Sequence, residues 1–227
     1  MRQQLRKLTY HYRAGGAGGL LLGARQYLGR MVHSESEWLI YVRHLTDVPE
    51  VGKMAKRREL GFQELLNLGY LKAQAFPEEI RRRFSRRNVC HGFFSDGRLA
   101  TLGWSSPDYL ELDRNAYFPC ESAVGLFDFI TEKALRSRGH YTNALMQLAI
   151  VAQRSGFKSA YIAVDPANIP SVKGIERAGF RPAFRVVRLR RLGITQFRTL
   201  ALTTGGAWEL VRGRVTTQAS AISIHSI

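Results

Sequence analysis

The chain has 227 residues, of which 45% are hydrophobic, so it is long enough to bury one core of ordinary size. Its 34 lysines and arginines outnumber 18 acidic residues, and the formal net charge of +16 favours anionic partners. The two cysteines, Cys90 and Cys120, have neither metal-ligand spacing nor a disulfide framework, so the sequence predicts no metal site and a reducing, cytoplasmic location.

Residues 1–33 are predicted to form a basic N-terminal arm, because six basic and no acidic residues precede position 31. We interpret Leu5 to Leu28 as partly helical, with leucines and tyrosines on one side. Such an arm is suited to an anionic membrane surface, which would place the chain at the periphery of the inner membrane. It is equally suited to packing on its own domain or on a second subunit, which leaves a homodimer open. The uncharged stretch from Ala14 to Ala24 is too short to span a bilayer.

The segment that follows has alternating strand and helix patterns. Predicted strands and helices, in chain order, are strand 37–45, helix 62–71, helix 77–84 and a hairpin of strands 88–94 and 99–104 that turns at Asp96-Gly97. Arginines cluster at 81–87 and again at 185–191, and each cluster indicates either an anion-binding surface or a solvated face. No zinc finger, RNA-recognition motif or helix-turn-helix accompanies them, which argues against nucleic acid as a partner.

The most informative motif is a loop between a strand and a helix. Val124 to Thr131 is rich in β-branched and aromatic residues and predicts a buried strand. Apolar residues at helical spacing predict a helix from Tyr141 that ends at Ser155-Gly156. The loop between them, Arg136-Ser137-Arg138-Gly139-His140, offers free backbone N–H groups, a helix dipole and two arginines, which together suit a pyrophosphate. The alternative is an ordinary turn with solvated arginines.

A second motif follows at the distance of a crossover connection. Ser159 to Val164 predicts another strand, so the unit is strand, loop, helix and parallel strand. Asn168 is suited to cap a short helix that begins near Pro170 and ends before Gly179. An arginine-rich strand is predicted at 185–190. Residues 204–227 are predicted to contribute one terminal strand, near 207–215, and a loose tail.

Together the two motifs resemble those of the GCN5-related N-acetyltransferase (GNAT) superfamily. The loop R-x-x-G-x-Y and the Asn-led helix that ends in Gly179-Phe180 carry the resemblance, which covers about residues 88 to 200. With Asp128 and Thr131 on the preceding strand, it is similar to bacterial members associated with surface-polysaccharide gene clusters. The resemblance implies an α/β fold with a central, mixed but mostly antiparallel sheet flanked by helices, over residues 34–203. It also implies acetyl-CoA as co-substrate.

The resemblance also implies roles for individual residues. The pyrophosphate is expected on the N–H groups of 138–142, and the strand 127–130 is expected to lend backbone groups to the pantetheine arm and the oxyanion. The implied cofactor-binding residues are Phe129, Ile130, Thr131, Arg136, Arg138, Gly139, His140, Tyr141, Thr142, Asn168 and Ser171. Two positions depart from the family pattern: Tyr141 replaces a small residue, and Ile175 stands where many members have a tyrosine that protonates the thiolate.

An amine acceptor must lose a proton before it attacks a thioester, so a carboxylate is required near the cofactor strand. Asp128 and Glu132 are the candidates, although Asp128 is also suited to be a satisfied polar group of the strand and Glu132 a loop charge. Tyr141, His140 and Tyr161 are rival proton donors. Three functions follow: an N-acyltransferase for a small-molecule amine or amino sugar, an acyl-CoA-binding protein without turnover, or a basic protein that binds membrane or nucleic acid.

Overall fold

The computed structural model describes residues 33–46, 48, 55–68, 77–113, 116–191, 194–211 and 215. Within these ranges the helices are α1 (Phe62–Asn67), α2 (Pro77–Ser85), α3 (His140–Arg154) and α4 (Ile169–Arg177), with a short 3-10 helix at Lys133–Leu135. The strands are β1 (His33–His44), β2 (Lys56–Glu59), β3 (Val89–Ser95), β4 (Arg98–Ser106), β5 (Tyr109–Asp113), β6 (Ala116–Pro119), β7 (Ala123–Thr131), β8 (Ser159–Val164), β9 (Arg181–Arg191), β10 (Ile194–Leu202) and β11 (Trp208–Val211).

Nine of these strands form one mixed sheet in the order β11-β10-β9-β1-β8-β7-β4-β3-β2. The pairs β1–β8, β2–β3, β3–β4, β4–β7 and β10–β11 are antiparallel, and β7–β8 is parallel. The parallel pair is joined by α3, as a crossover connection requires. The remaining strands, β5 and β6, form a separate antiparallel hairpin. The predicted mixed, mostly antiparallel sheet flanked by helices is therefore confirmed.

The described residues divide into two compact units. The larger comprises Trp38–Arg185 and the described residues from Thr199 onward, and the smaller comprises Val186–Arg198 and β1 up to Glu37. In the smaller unit, Arg188 donates a hydrogen bond to Ser36 Oγ (3.0 Å), and Ile194 is largely exposed.

The main core of the larger unit lies between the sheet and the helices α3 and α4. It is built from the apolar face of α3, alternate residues of β7 and β8, and side chains of β1 and α4. Its fully buried members include Leu126, Leu145, Ile175 and Phe180. The helix predicted from Tyr141 is confirmed, and Gly156 (φ 86°) ends it in the left-handed conformation expected of a residue that follows a helix.

Most predicted boundaries agree with the structure. The hairpin turns at Asp96 (φ 50°) and Gly97 (φ 75°), both left-handed, as a two-residue turn between antiparallel strands requires. The strand predicted at 185–190 is longer and begins at Arg181. The predicted helix 62–71 is shorter in the structure: it ends at Asn67, and Leu68 is already extended (φ -76°, ψ 107°). Positions 69–71 lie outside the described residues, as do residues 1–32, positions 212–214 of the terminal strand and the tail after 215. Among the described residues, no helix is both long and apolar enough to cross a membrane.

Two thiols and one imidazole are buried in the larger unit. Cys90 and Cys120 are both buried free thiols, and burial raises the pKa of each above its ordinary value. His91 on β3 is also buried; Arg57 Nη1 lies 2.9 Å from its Nδ1, and Ser105 Oγ lies 2.8 Å from its Nε2. Burial, and secondarily the charge of Arg57, lowers the pKa of His91 to about 3, so the ring is neutral near neutral pH.

Candidate active site

The strand β7 is interrupted by a bulge at Asp128. Opposite β4, Phe127 pairs with Trp104 and Ile130 pairs with Leu102, so Asp128 and Phe129 together face the single residue Gly103. Asp128 has a φ of 51°, in the left-handed region that non-glycine residues rarely occupy. A bulge with one left-handed residue turns a strand and re-aims its side chains.

The side chains around the bulge change the face of the sheet to which they point. Leu126 belongs to the core under α3, so Phe127, the next residue in the strand, points to the opposite face. Asp128 faces the same side as Phe127, because Arg83 of α2 contacts both the Phe127 ring and the Asp128 carboxylate. Phe129 then returns to the α3 side, where its ring lies 5.5 Å from that of Tyr141. This position of the ring requires a glycine at 103, since a Cβ on that residue would lie 2.3 Å from the Phe129 ring.

Next to the bulge, β7 parts from its parallel neighbour. The register of the pair runs from Ala123↔Ser159 to Leu126↔Ile162, although β7 continues to Thr131 and β8 to Val164. The backbone of residues 127–130 therefore lies beyond the parallel ladder. An unpaired strand edge offers N–H and C=O groups that can bind an extended amide chain.

The loop predicted to bind pyrophosphate lies between β7 and α3. Gly139 (φ 81°) precedes α3 as its N-cap and makes no side-chain cap, and the first backbone hydrogen bond of the helix joins Asn143 N–H to the Gly139 C=O (2.9 Å). The N–H groups of residues 140–142 therefore lie ahead of the intrahelical ladder, at the positive end of the helix dipole. A Cβ on Gly139 would meet no atom within 4 Å, so the space in front of these groups is open.

Both loop arginines are exposed. Arg136 donates from Nε to the Thr131 carbonyl (3.2 Å), which ties the loop to the end of β7, and Thr131 Oγ1 lies 3.0 Å from Thr101 Oγ1. Glu132, the second predicted carboxylate, is half-buried at the start of the 3-10 helix, and its N–H donates to the Ala100 carbonyl (2.9 Å). His140 is the first residue of α3.

Tyr141 is partly buried and packs against the core. Besides contacting Phe129, its ring lies where a side chain on Gly174 of α4 would sit, since a Cβ there would come within 2.7 Å of Tyr141 Cδ1. Burial raises the pKa of the phenol above its ordinary value, which makes the hydroxyl a weaker proton donor. The large residue at this loop position is thus accommodated between α3 and α4, while its catalytic role stays a prediction.

Helix α4 begins as the sequence predicts. Asn168 caps it, with Oδ1 accepting from the Ser171 N–H (3.3 Å), and Gly179 follows its end with φ 82°. Thr142 Oγ1 donates to the Gly174 carbonyl (3.3 Å), which links the two helices. Ile175 is fully buried in the core, so the position of the family's tyrosine carries no proton donor here. Tyr161 of β8, another rival donor, lies in an aromatic cluster with Phe118 of β6 and Phe184 of β9.

On the face of β7 opposite α3, charged side chains form a network around the buried Arg83, with Asp128 at its exposed side, that the sequence did not predict. Arg83 is 5% exposed and donates to Asp128, to Glu79 Oε1 (3.3 Å) and to Glu111 Oε1 (3.0 Å). Burial alone would lower the pKa of Arg83, but the charges of Asp128 and Glu111 outweigh it and leave that pKa raised. Arg82 also donates to Glu111 (3.1 Å). The predicted helix 77–84 was a partial signal: a helix turns some arginines of the 81–87 cluster inward, but the pattern does not show which.

The structure therefore brings most of the predicted residues to one region. The bulged end of β7, the loop 136–139 and the start of α3 adjoin along the chain, and α4 is tied to α3 beside them. The Asp128 side chain points away from α3, toward Arg83 of α2, and stays partly exposed.

Comparison with known proteins defines the fold. No protein-family model matches the chain, and no curated protein matches its sequence. Among solved structures, it is similar to an acetyltransferase of the GNAT family from Colwellia psychrerythraea, with 19% identity and a TM-score of 0.50 over 73% of this chain and 60% of that one. It is also similar to a GCN5-related N-acetyltransferase from Sphaerobacter thermophilus, with 12% identity and a TM-score of 0.53 over 75% of this chain and 56% of that one.

The chain has the fold of the GCN5-related N-acetyltransferases, so the predicted resemblance is confirmed at the level of the fold. It spans less than two thirds of the length of either of these two structures.

Proposed function

We propose that the chain is an acyl-CoA-dependent N-acyltransferase that uses acetyl-CoA and transfers the acyl group directly to an amine of a small molecule or an amino sugar. The observation that carries this proposal is the combination of a strand that parts from its neighbour at a bulge with a glycine-led helix N-terminus directly after it. One element is suited to an amide-containing arm and the other to a pyrophosphate, and they lie in the order in which CoA presents those groups.

In this proposal the N–H groups of 138–142 bind the pyrophosphate, and the exposed Arg136 and Arg138 supply opposite charge. The backbone of 127–130 binds the pantetheine arm and stabilises the negative charge that develops on the thioester oxygen. These residues supply binding and orientation, which convert a bimolecular reaction into one between positioned groups.

The proton transfers follow from the chemistry of the acceptor. A cationic amine gives one proton to Asp128, directly or through water, and its neutral nitrogen then attacks the thioester carbon. As the C–S bond breaks, the nitrogen loses its second proton and the thiolate is protonated, which leaves an amide and free CoA. Because position 175 is apolar and buried, we assign the protonation of the thiolate to solvent or to the acceptor nitrogen.

The test is a thiol-release assay with acetyl-CoA over a panel of amines and amino sugars, preceded by calorimetry with acetyl-CoA alone. We expect binding without acceptor and CoA release with at least one member of the panel. Absence of acetyl-CoA binding would overturn the proposal.

A second candidate function is acyl-CoA binding without turnover. Ile175 favours it, because this position offers no proton donor, and the raised pKa of the partly buried Tyr141 phenol makes that hydroxyl a weak one. This function predicts acetyl-CoA binding in the calorimeter and no thiol release with any acceptor of the panel.

For the N-terminal arm we propose contact with an anionic membrane surface. The proposal is supported by its six basic residues and the absence of acidic ones before position 31.

A further inference from the structure

The left-handed conformation of Asp128 needs a stabilising contact. A non-glycine residue with φ near 51° occupies a sparsely populated region, and such residues persist where the surroundings over-determine them. The bulge at Asp128 also coincides with the end of the parallel register between β7 and β8, two residues after Leu126. Whatever holds Asp128 in place therefore also holds the strand edge that the proposed function assigns to the pantetheine arm.

Arg83 is the residue placed to do this. It reaches the bulge from α2, on the face opposite α3, with its guanidinium 5.2 Å from the centre of the Trp104 ring and 5.3 Å from that of Phe127. These two rings are paired across β4 and β7 immediately before the bulge. One of its Nη atoms donates to Asp128, and the other donates to the carboxylates of Glu79 and Glu111. The guanidinium is thus fixed on both sides and buried.

We propose that Arg83 is a positioning residue for the acyl-CoA arm: by holding Asp128 in the left-handed bulge, it keeps the edge of residues 127–130 open beside β8. The inference rests on the proposed function, because it concerns the same strand edge. It adds a connection from α2 to this edge, since the ion pair on the α2 side holds the bulge at which β7 parts from β8. A ligand that competes for the Asp128 carboxylate would then change the affinity for acetyl-CoA.

The test uses the difference between glycine and alanine at position 128. Both Asp128→Gly and Asp128→Ala remove the carboxylate and its ion pair, but only glycine adopts the left-handed conformation without strain. We expect Asp128→Gly to bind acetyl-CoA within about threefold of the parent and Asp128→Ala to bind at least tenfold more weakly. Neither variant should change the affinity for 3′,5′-ADP, which lacks the pantetheine arm.

Arg83 is tested in the parent protein and in the Asp128→Gly variant. Arg83→Met should weaken acetyl-CoA binding at least tenfold, and Arg83→Met combined with Asp128→Gly should restore it. In Arg83→Met, Arg82 still lies 3.1 Å from Glu111 and 3.9 Å from Glu79, so these carboxylates keep a cationic partner. Arg83→Lys is a second variant, which preserves the charge. Arg81→Met is the matched control, because Arg81 lies on the same helix, is exposed, and stacks on Phe62.

Equal acetyl-CoA affinities for the glycine and alanine variants would overturn the inference, as would a loss in Arg83→Met that glycine at 128 does not rescue. A parallel loss of 3′,5′-ADP binding would also overturn it, because a general loss of structure affects both ligands. If the parent protein binds 3′,5′-ADP but not acetyl-CoA, or binds neither, the proposed function itself fails, which is a different result from any of these.

Discussion

The open space in front of Gly139 makes a single substitution informative about the cofactor loop. Gly139→Asp would place a carboxylate at the start of α3, where the proposed pyrophosphate lies on the N–H groups of the helix. A Cβ there meets no atom within 4 Å beyond the neighbouring residues, so the main costs are the strain of φ 81° and the charge. The negative charge at a helix N-terminus is itself favourable to the free protein, so the fold should tolerate the change.

The expected loss of affinity follows from Coulomb's law. Two unit charges about 5 Å apart in an effective dielectric of about 20 repel by about 3 kcal/mol, and a pyrophosphate carries more than one charge. Salt and solvent at an exposed loop reduce this repulsion, so we expect at least a tenfold weaker binding of acetyl-CoA, or about 1.4 kcal/mol. The loss should diminish as ionic strength rises.

Isothermal calorimetry with acetyl-CoA measures this loss, and two controls separate its causes. Gly139→Ala has a similar backbone strain without the charge. Gly156→Asp adds the same side chain at the other end of α3, at a glycine with φ 86° and equally open surroundings. Both controls should bind nearly as the parent does. Unchanged affinity in Gly139→Asp, with circular dichroism showing an intact fold, would remove the pyrophosphate from this loop.

Four further outcomes are expected. Arg136→Ala combined with Arg138→Ala should erase the preference for acetyl-CoA over dephosphorylated and shortened analogues in competition binding, and a surviving preference would assign both arginines to solvent. In denaturant titrations, the free energy of unfolding should fall by about 1.4 kcal/mol per pH unit as the pH drops below about 6.5 toward 3. The reason is that His91 binds a proton in the unfolded chain over this range, whereas in the folded protein its pKa is about 3 and the ring stays neutral. A His91→Gln variant that keeps the same slope would contradict this assignment. Gly103→Ala should lower the free energy of unfolding by about 1–3 kcal/mol through the clash with Phe129, whereas Gly61→Ala, in open space, should be nearly neutral, as thermal melts will show. Residues 1–30 fused to a reporter should sediment with anionic vesicles and be released by salt, and equal sedimentation with neutral vesicles would favour packing within the protein.

The sequence was sufficient to predict the features that depend on residues close together in the chain, such as helix caps and turns. The cap at Asn168, the left-handed glycines at 97 and 179 and the crossover through α3 all depend on residue types at fixed spacing, and the structure confirms them. The loop 136–139 belongs to the same class, since a glycine before an amphipathic helix is visible without tertiary information.

The bulge and the buried ion network could not be predicted in the same way. Nothing in the strand 124–131 shows that Asp128 is the extra residue, because the register with β4 depends on pairing between distant segments. Arg83 belongs to a run of arginines, and only the packing of α2 distinguishes it from its exposed neighbour Arg81. The hairpin β5–β6 was also missed, because its strands are short and lie between better-defined ones.

The burial of both cysteines has a practical consequence for the enzymology. Disulfide reagents that report free CoA react with thiolates, and burial keeps Cys90 and Cys120 protonated and inaccessible in the folded protein. The folded protein should therefore contribute no background colour, so that every equivalent of thiol measured with the acceptor panel comes from the co-substrate. Denaturant should release two equivalents per chain, which turns the same reagent into a count of unfolded molecules in any variant preparation.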